Sequence, residues 1–256
     1  MRIGNNAVFQ NEELYSVEHE RSTMAGVAVK AIIMLGVAML TALVSLKIVS
    51  HIETNALALP MVIAGYLVCP ITTFILSIIM SRKPLAARAL AIPYAVLEGI
   101  SIGAVCGLLK YALGDLGGLI AALAFIITLA FFLAAAVIYS TGIVKVGSGF
   151  RRFVFILGLG LVVSTLVIMI AGLFNHAVFE LFYGATTLAL IVSIISVIIA
   201  SLYTLLTLDN AKRMVDAGLD NRYEWYCAFG IVLNFIWLFW EVLRLVMIIA
   251  SRSSRN

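Results

Sequence analysis

Hydrophobic and polar positions along this chain fall into long blocks rather than into a short-period alternation. Seven apolar stretches, roughly 24–46, 56–80, 86–109, 117–140, 153–174, 184–208 and 226–250, each approach or exceed the ~20 residues a helix needs to cross a bilayer. Lipid offers no partner to a backbone N–H or C=O, so a spanning segment must satisfy those groups itself, and a helix does so. The alternating segments of roughly ten residues that build a membrane barrel are not visible. The third and fourth stretches are the least cleanly separated, with only residues 110–115 between them. The pattern predicts an all-α, polytopic membrane helix bundle of about seven transmembrane helices. It forms one domain over 23–252, with a polar arm at 1–22 and a short tail at 253–256.

Composition agrees with that pattern. The chain is 63% hydrophobic and 12% charged, with mean hydropathy +1.13, whereas a soluble domain is about half apolar and about a quarter charged. Its contact partner is therefore the lipid bilayer. The charges collect in the connectors. The second connector has Arg82, Lys83 and Arg88, the fourth Lys145, Arg151 and Arg152, and the sixth Lys212, Arg213 and Arg222. The first has only Lys47, the third only Lys110 and the fifth none. That alternation places the N-terminus and the even connectors in the cytoplasm. The tail with Arg252 and Arg255 runs against it: either the tail is too short to matter or one segment is re-entrant. A net charge of +4 spread over several loops leaves no basic face for nucleic acid. The first twenty-one residues are polar and acidic (Glu12, Glu13, Glu18, Glu20), so no cleaved leader is expected and the arm reads as loose.

Within the spans, Gly99, Gly103 and Gly107 recur every four residues beside Ser101 and Ala104, a small-residue stripe that lets helix backbones approach closely. Pro93 is expected to kink or open the third span, and Pro60 and Pro70 the second. The last span is rich in aromatics, and Trp225 and Tyr226 at its start suit an interfacial belt. Glu241 and Arg244, three apart on one helical face, are read as a structural ion pair. The two halves show no repeat and no inverted pair of broken segments, which disfavours a repeat-built transporter.

No enzyme motif is visible. Cys69, Cys106 and Cys227 lie in apolar runs without a neighbouring His and read as small buried hydrophobes. His19, His51 and His176 are scattered, no HExxH or P-loop occurs, and the Gly-Ser-Gly at 147–149 lacks the strand–turn–helix setting of a nucleophile elbow. The expectation is no catalysis and no cofactor. What remains are polar groups in or beside the spans: Glu98, Asp209, Asn234, Glu241, Arg244 and Arg82. Ionisable groups at membrane depth are costly and point to function. Glu98, inside an apolar run, is a proton-binding candidate. Asp209, next to a basic connector, is either a paired, functional carboxylate or a helix-end residue held in that connector. Arg82, ending the second span at the same level, is the expected partner. A carboxylate latched to Arg loses its hold as it is protonated, which is one way to build a pH-sensitive gate. Carboxylates and amide oxygens also suit a hard cation such as Ca²⁺, for which Asp209 is the possible ligand.

The run YTLLTLDNAKRMVDAG, a short connector, EWYCAFG and then NFIWLFWEVLRL resembles the C-terminal signature of the bacterial Bax-inhibitor-like membrane proteins, within the wider transmembrane Bax-inhibitor-motif family. SRKPLAARALAIPYAVLEGISIGA resembles that family's basic loop and third helix. The resemblance covers about Thr23 to Arg252. It implies a seven-helix fold with the C-terminal helix central, a bacterial inner membrane, and a pH-sensitive calcium leak with calcium as the transported species. In the family one Asp ends the sixth helix, another lies in the seventh, and an Arg closes the cytoplasmic side. Asp209 matches the first, and Arg82 or Ser81 the column of the Arg. The third position is Asn234, which cannot share a proton, so Glu98 is the candidate substitute for the missing carboxylate. The competing implication, closer to some bacterial relatives, is a non-conducting membrane interaction protein that modulates a membrane-bound protease or other membrane machinery.

Overall fold

The computed structural model describes residues 21–144 and 146–253; the acidic arm before Arg21, Lys145, and the tail from residue 254 with Arg255 lie outside them. Among the described residues the chain is all-helical, with no named strand. The helices are α1 (Met24–Val49), α2 (Ala58–Ile63), α3 (Cys69–Arg82), α4 (Ala87–Leu113), α5 (Asp115–Ser140), α6 (Ser148–Phe174), α7 (His176–Tyr183), α8 (Thr187–Asp216) and α9 (Glu224–Ser253). Seven segments are long and apolar enough to cross a membrane, with α2 and α3 forming one of them. The protein is a multi-pass membrane protein.

Local chemistry sets the boundaries. Thr23 caps α1 by accepting from the Gly26 amide at 2.9 Å, and Thr186 caps α8 by accepting from Ala189 at 3.0 Å. These side chains replace intrahelical acceptors missing at a helix start. The third span runs through Lys110 to Leu113, past the expected end. It breaks at Gly114, whose φ of 59° is in the region glycine alone adopts cheaply. The second span is interrupted by a π-helical turn at Ala64–Val68, just before Pro70. Proline has no N–H to donate into the preceding turn, so the ladder is wider there. Pro93, by contrast, lies inside an unbroken α4.

The C-terminal helix α9 is the most buried of the spans and α6 the least. It packs on α1, α4, α5 and α8. One core cluster joins α1, α3, α4 and α9 around Met34, Met80, Tyr94 and Phe229. A second joins α4, α5, α8 and α9 around Ile120, Val197, Leu238 and Leu243. The most extensive helix pair is α1 with α4, and the glycine stripe lies in it. A Cβ at Gly99 would strike Ala38 and Thr41, one at Gly103 would strike Ala42 and Ser45, and one at Gly107 would lie 2.7 Å from Val49. The α3 and α6 helices stand further from α9, and two cavities open beside them.

Candidate functional site

Loop two and loop six meet at one end of the bundle, where the short turns Pro84–Ala86 and Asn221–Tyr223 touch each other. This is the basic end. From it α8 carries Asp209, four residues before Arg213. The Arg213 Nε donates to Asp209 Oδ2 at 2.8 Å, and Arg151, in the first turn of α6, donates to the same carboxylate. Tyr139 Oη, from the end of α5, lies 3.5 Å from Oδ1. Arg213 also reaches the Val146 carbonyl at 3.3 Å. The Asp209 side chain is only 13% exposed, so α5, α6 and α8 converge on one half-sheltered negative charge.

The expected partner, Arg82, does not take part. It is exposed at the end of α3 and makes no ion pair among the described residues. Arg151 and Arg213 occupy the carboxylate instead. The reason is the fold: α3 packs on α4, while α6 packs chiefly on α8 and α7, so it is the start of α6 that adjoins the end of α8.

A second charge cluster lies at the same end. Glu224, 4% exposed in the first turn of α9, accepts from the Thr23 amide at 2.7 Å and from Lys30 of α1. Ser22 donates to the Leu219 carbonyl at 2.8 Å. The first span is thereby stitched to the last connector. Lys30 was passed over in the sequence reading; a lone lysine inside an otherwise uncharged 24–46 was the signal.

Going down the bundle, Glu98 lies eleven residues into α4, about 16 Å from its start at the usual helical rise. It lines a cavity of about 310 Å³ with Pro70, Thr73, Ser77, Tyr94 and Ser101. The Ser101 hydroxyl is buried without a hydrogen-bond partner. The walls thus offer a carboxyl and several hydroxyl oxygens. Asn234 lies ten residues into α9, about 15 Å from its start. It lines a different cavity, of about 700 Å³, bounded by α3, α6, α8 and α9. Glu98 and Asn234 therefore do not share one interior as expected; their cavities adjoin at Phe74 and Leu233. Asn234 Nδ2 donates to Thr204 Oγ1 at 2.7 Å.

Toward the opposite end, Glu241 and Arg244 pair at 2.7 Å on α9. Trp237 Nε1 donates to Glu241 at 3.3 Å. Arg244 donates to Ser196 on α8 at 3.0 Å and stacks 5.2 Å from the Tyr183 ring of α7. The pair thus ties α7, α8 and α9 together. The short α7, in the fifth connector, was not anticipated.

A family model described as "Bax inhibitor 1 like" matches residues 6–251, nearly the whole chain. No curated protein matches it.

Proposed function

The chain belongs to the Bax inhibitor 1 like family, and on that premise we propose that it is a cation leak, with Ca²⁺ as cargo, in a bacterial inner membrane. In this reading the N-terminus is cytoplasmic, the basic end faces the cytoplasm, and the protein performs no catalysis and holds no resident cofactor. The observation that carries it is Asp209: one carboxylate joined to guanidinium groups from two helices and approached by a tyrosine from a third.

The latch works by charge. Ionised Asp209 holds Arg151, and with it the start of α6, against α8. Besides this tie, α6 packs on α8 and α7, with Val154 in a small core beside Leu205 and Leu206. Protonation removes the negative charge, and both guanidinium groups lose their acceptor. The α6 end is then free to move away from α8, widening the cavity it shares with α3 and α9. No second carboxylate is required, which accommodates the amide at Asn234. Flux therefore rises as pH falls through the carboxylate range.

A cation entering from the basic end next meets Glu98, the only carboxylate among the described residues that lines either of the two cavities. Hard cations exchange water for carboxylate and hydroxyl oxygens readily, and the Glu98 walls supply both. The test is Ca²⁺ entry into dye-loaded proteoliposomes holding only the purified full-length chain, measured between about pH 3 and pH 8 so that the window includes the carboxylate range. Entry above protein-free liposomes that grows on acidification supports the leak. Entry equal to protein-free liposomes at every pH refutes it and favours a non-conducting partner of other membrane proteins.

A further inference from the structure

The larger cavity has a feature that ion conduction does not use. Asn234 is 4% exposed, and its amide is half-satisfied: Nδ2 donates to Thr204, while Oδ1 has no hydrogen-bond partner. The orientation of the amide is fixed by its neighbour. The Thr204 hydroxyl donates to the Ala200 carbonyl at 3.3 Å, which leaves its oxygen to accept from Nδ2, so Oδ1 is the atom left without a partner, on a residue that borders the cavity. A buried carbonyl without a donor is costly in lipid, where nothing else can satisfy it.

The rest of the wall defines what could supply that donor. Among the described residues no Asp, Glu, Lys, Arg or His lines this cavity. A charged ligand would thus be stripped of water with no counter-charge to meet it. Phe74, Phe155, Phe229 and Trp237 surround the space with aromatic faces and edges. Its volume, about 700 Å³, is that of a small-molecule site. We propose that this groove binds an uncharged lipophilic phenol dissolved in the bilayer, its ring among the aromatics and its hydroxyl donating to Asn234 Oδ1. The groove is the cavity that release of α6 would widen, but neither Asp209 nor Glu98 lines it.

Two matched molecules test it on the full-length protein in lipid nanodiscs. The probe is 4-hexylphenol with a photoreactive diazirine on its alkyl chain. The competitors are 4-hexylphenol and 4-hexylanisole, which differ only in that the ether cannot donate. Labelling is read on peptides covering residues 155–162 and 229–237. The phenol is expected to suppress labelling about tenfold more effectively than the anisole, the worth of one buried hydrogen bond. Asn234→Leu is expected to erase that difference. Leu159→Trp, which fills the groove from α6 and leaves Asn234 in place, is expected to lower labelling whichever competitor is used. Equal competition by phenol and anisole in the wild type overturns the proposal and assigns the groove to bulk lipid alone, with the carbonyl on water. That comparison needs no variant to fold.

Discussion

Arg151 and Asp209 lie 58 positions apart in sequence, yet the guanidinium of one donates to the carboxylate of the other across the α6–α8 boundary. Asp209 also binds Arg213 on its own helix, so the contact combines a local i,i+4 pair with a long-range tie. The local half would form in an isolated helix; the long-range half exists only once α6 is docked.

This division gives the first prediction. Arg151→Ala leaves Asp209 with Arg213 and the longer Tyr139 contact and removes the charged tie to α6. It should destabilise the bundle by about 1–3 kcal/mol. Arg82→Ala, at an exposed position with no ion pair among the described residues, should change stability by less than about 0.5 kcal/mol. Thermal unfolding of both variants in detergent checks the contrast. Equal losses would contradict the assignment of Arg151 as the partner.

Lys30 and Glu224 form the second tie at the basic end. Lys30→Met keeps the side-chain bulk but leaves a carboxylate, 4% exposed, with only Thr23 as donor. A buried pair broken on one side costs about 3 kcal/mol or more. The double variant Lys30→Met/Glu224→Gln should recover part of that loss, because no uncompensated charge remains. A double variant as unstable as the single one would mean that packing, not charge, sets the cost.

The α1–α4 contact depends on glycines with no room for a side chain. Gly103→Val places carbon against the Ala42 carbonyl and within 2.7 Å of Ser45 Cβ, so α1 must move. The expected outcome is loss of folded protein in size-exclusion chromatography. Gly160→Ala is the control: a Cβ there meets nothing within 4 Å. It should be neutral or stabilising by up to about 1 kcal/mol, through helix propensity.

Glu98 supplies the carboxylate of the smaller cavity. Glu98→Gln preserves shape while removing the charge. It should lower Ca²⁺ flux several-fold at every pH while leaving the relative increase on acidification in place, since that increase belongs to Asp209. Flux measured in proteoliposomes at two pH values separates the roles. A variant with normal flux but no pH response would transfer the titration to Glu98.

The seven spans were legible because lipid forces a plain rule on the sequence: about twenty apolar residues in each crossing. The membership of Glu241 and Arg244 in one helical face was legible for the same reason, since periodicity is local. Connector detail was less so. The α8 helix continues through the charged residues 209–216 to a stop marked by Gly218, φ 70°, because nothing before that glycine breaks a helix. Reading charge as the start of a connector placed the end too early. The partner of Asp209 was not legible: Arg82, Arg151 and Arg213 all lie at the basic end, and only packing decides which helix stands beside α8. Nor could spacing reveal that Asn234 and Glu98 line separate cavities, because the boundary falls at Phe74 of α3 and Leu233 of α9, which only packing brings together.

The most direct test of the central claim compares Ca²⁺ entry at neutral pH into proteoliposomes holding the wild type or Asp209→Asn. An amide at 209 keeps the shape of the side chain and cannot hold two guanidinium groups by charge. The latch account predicts that the variant passes Ca²⁺ at neutral pH at the rate the wild type reaches only in acid, with little further change on acidification. A variant that still conducts only in acid, with the wild-type pH dependence, would contradict it.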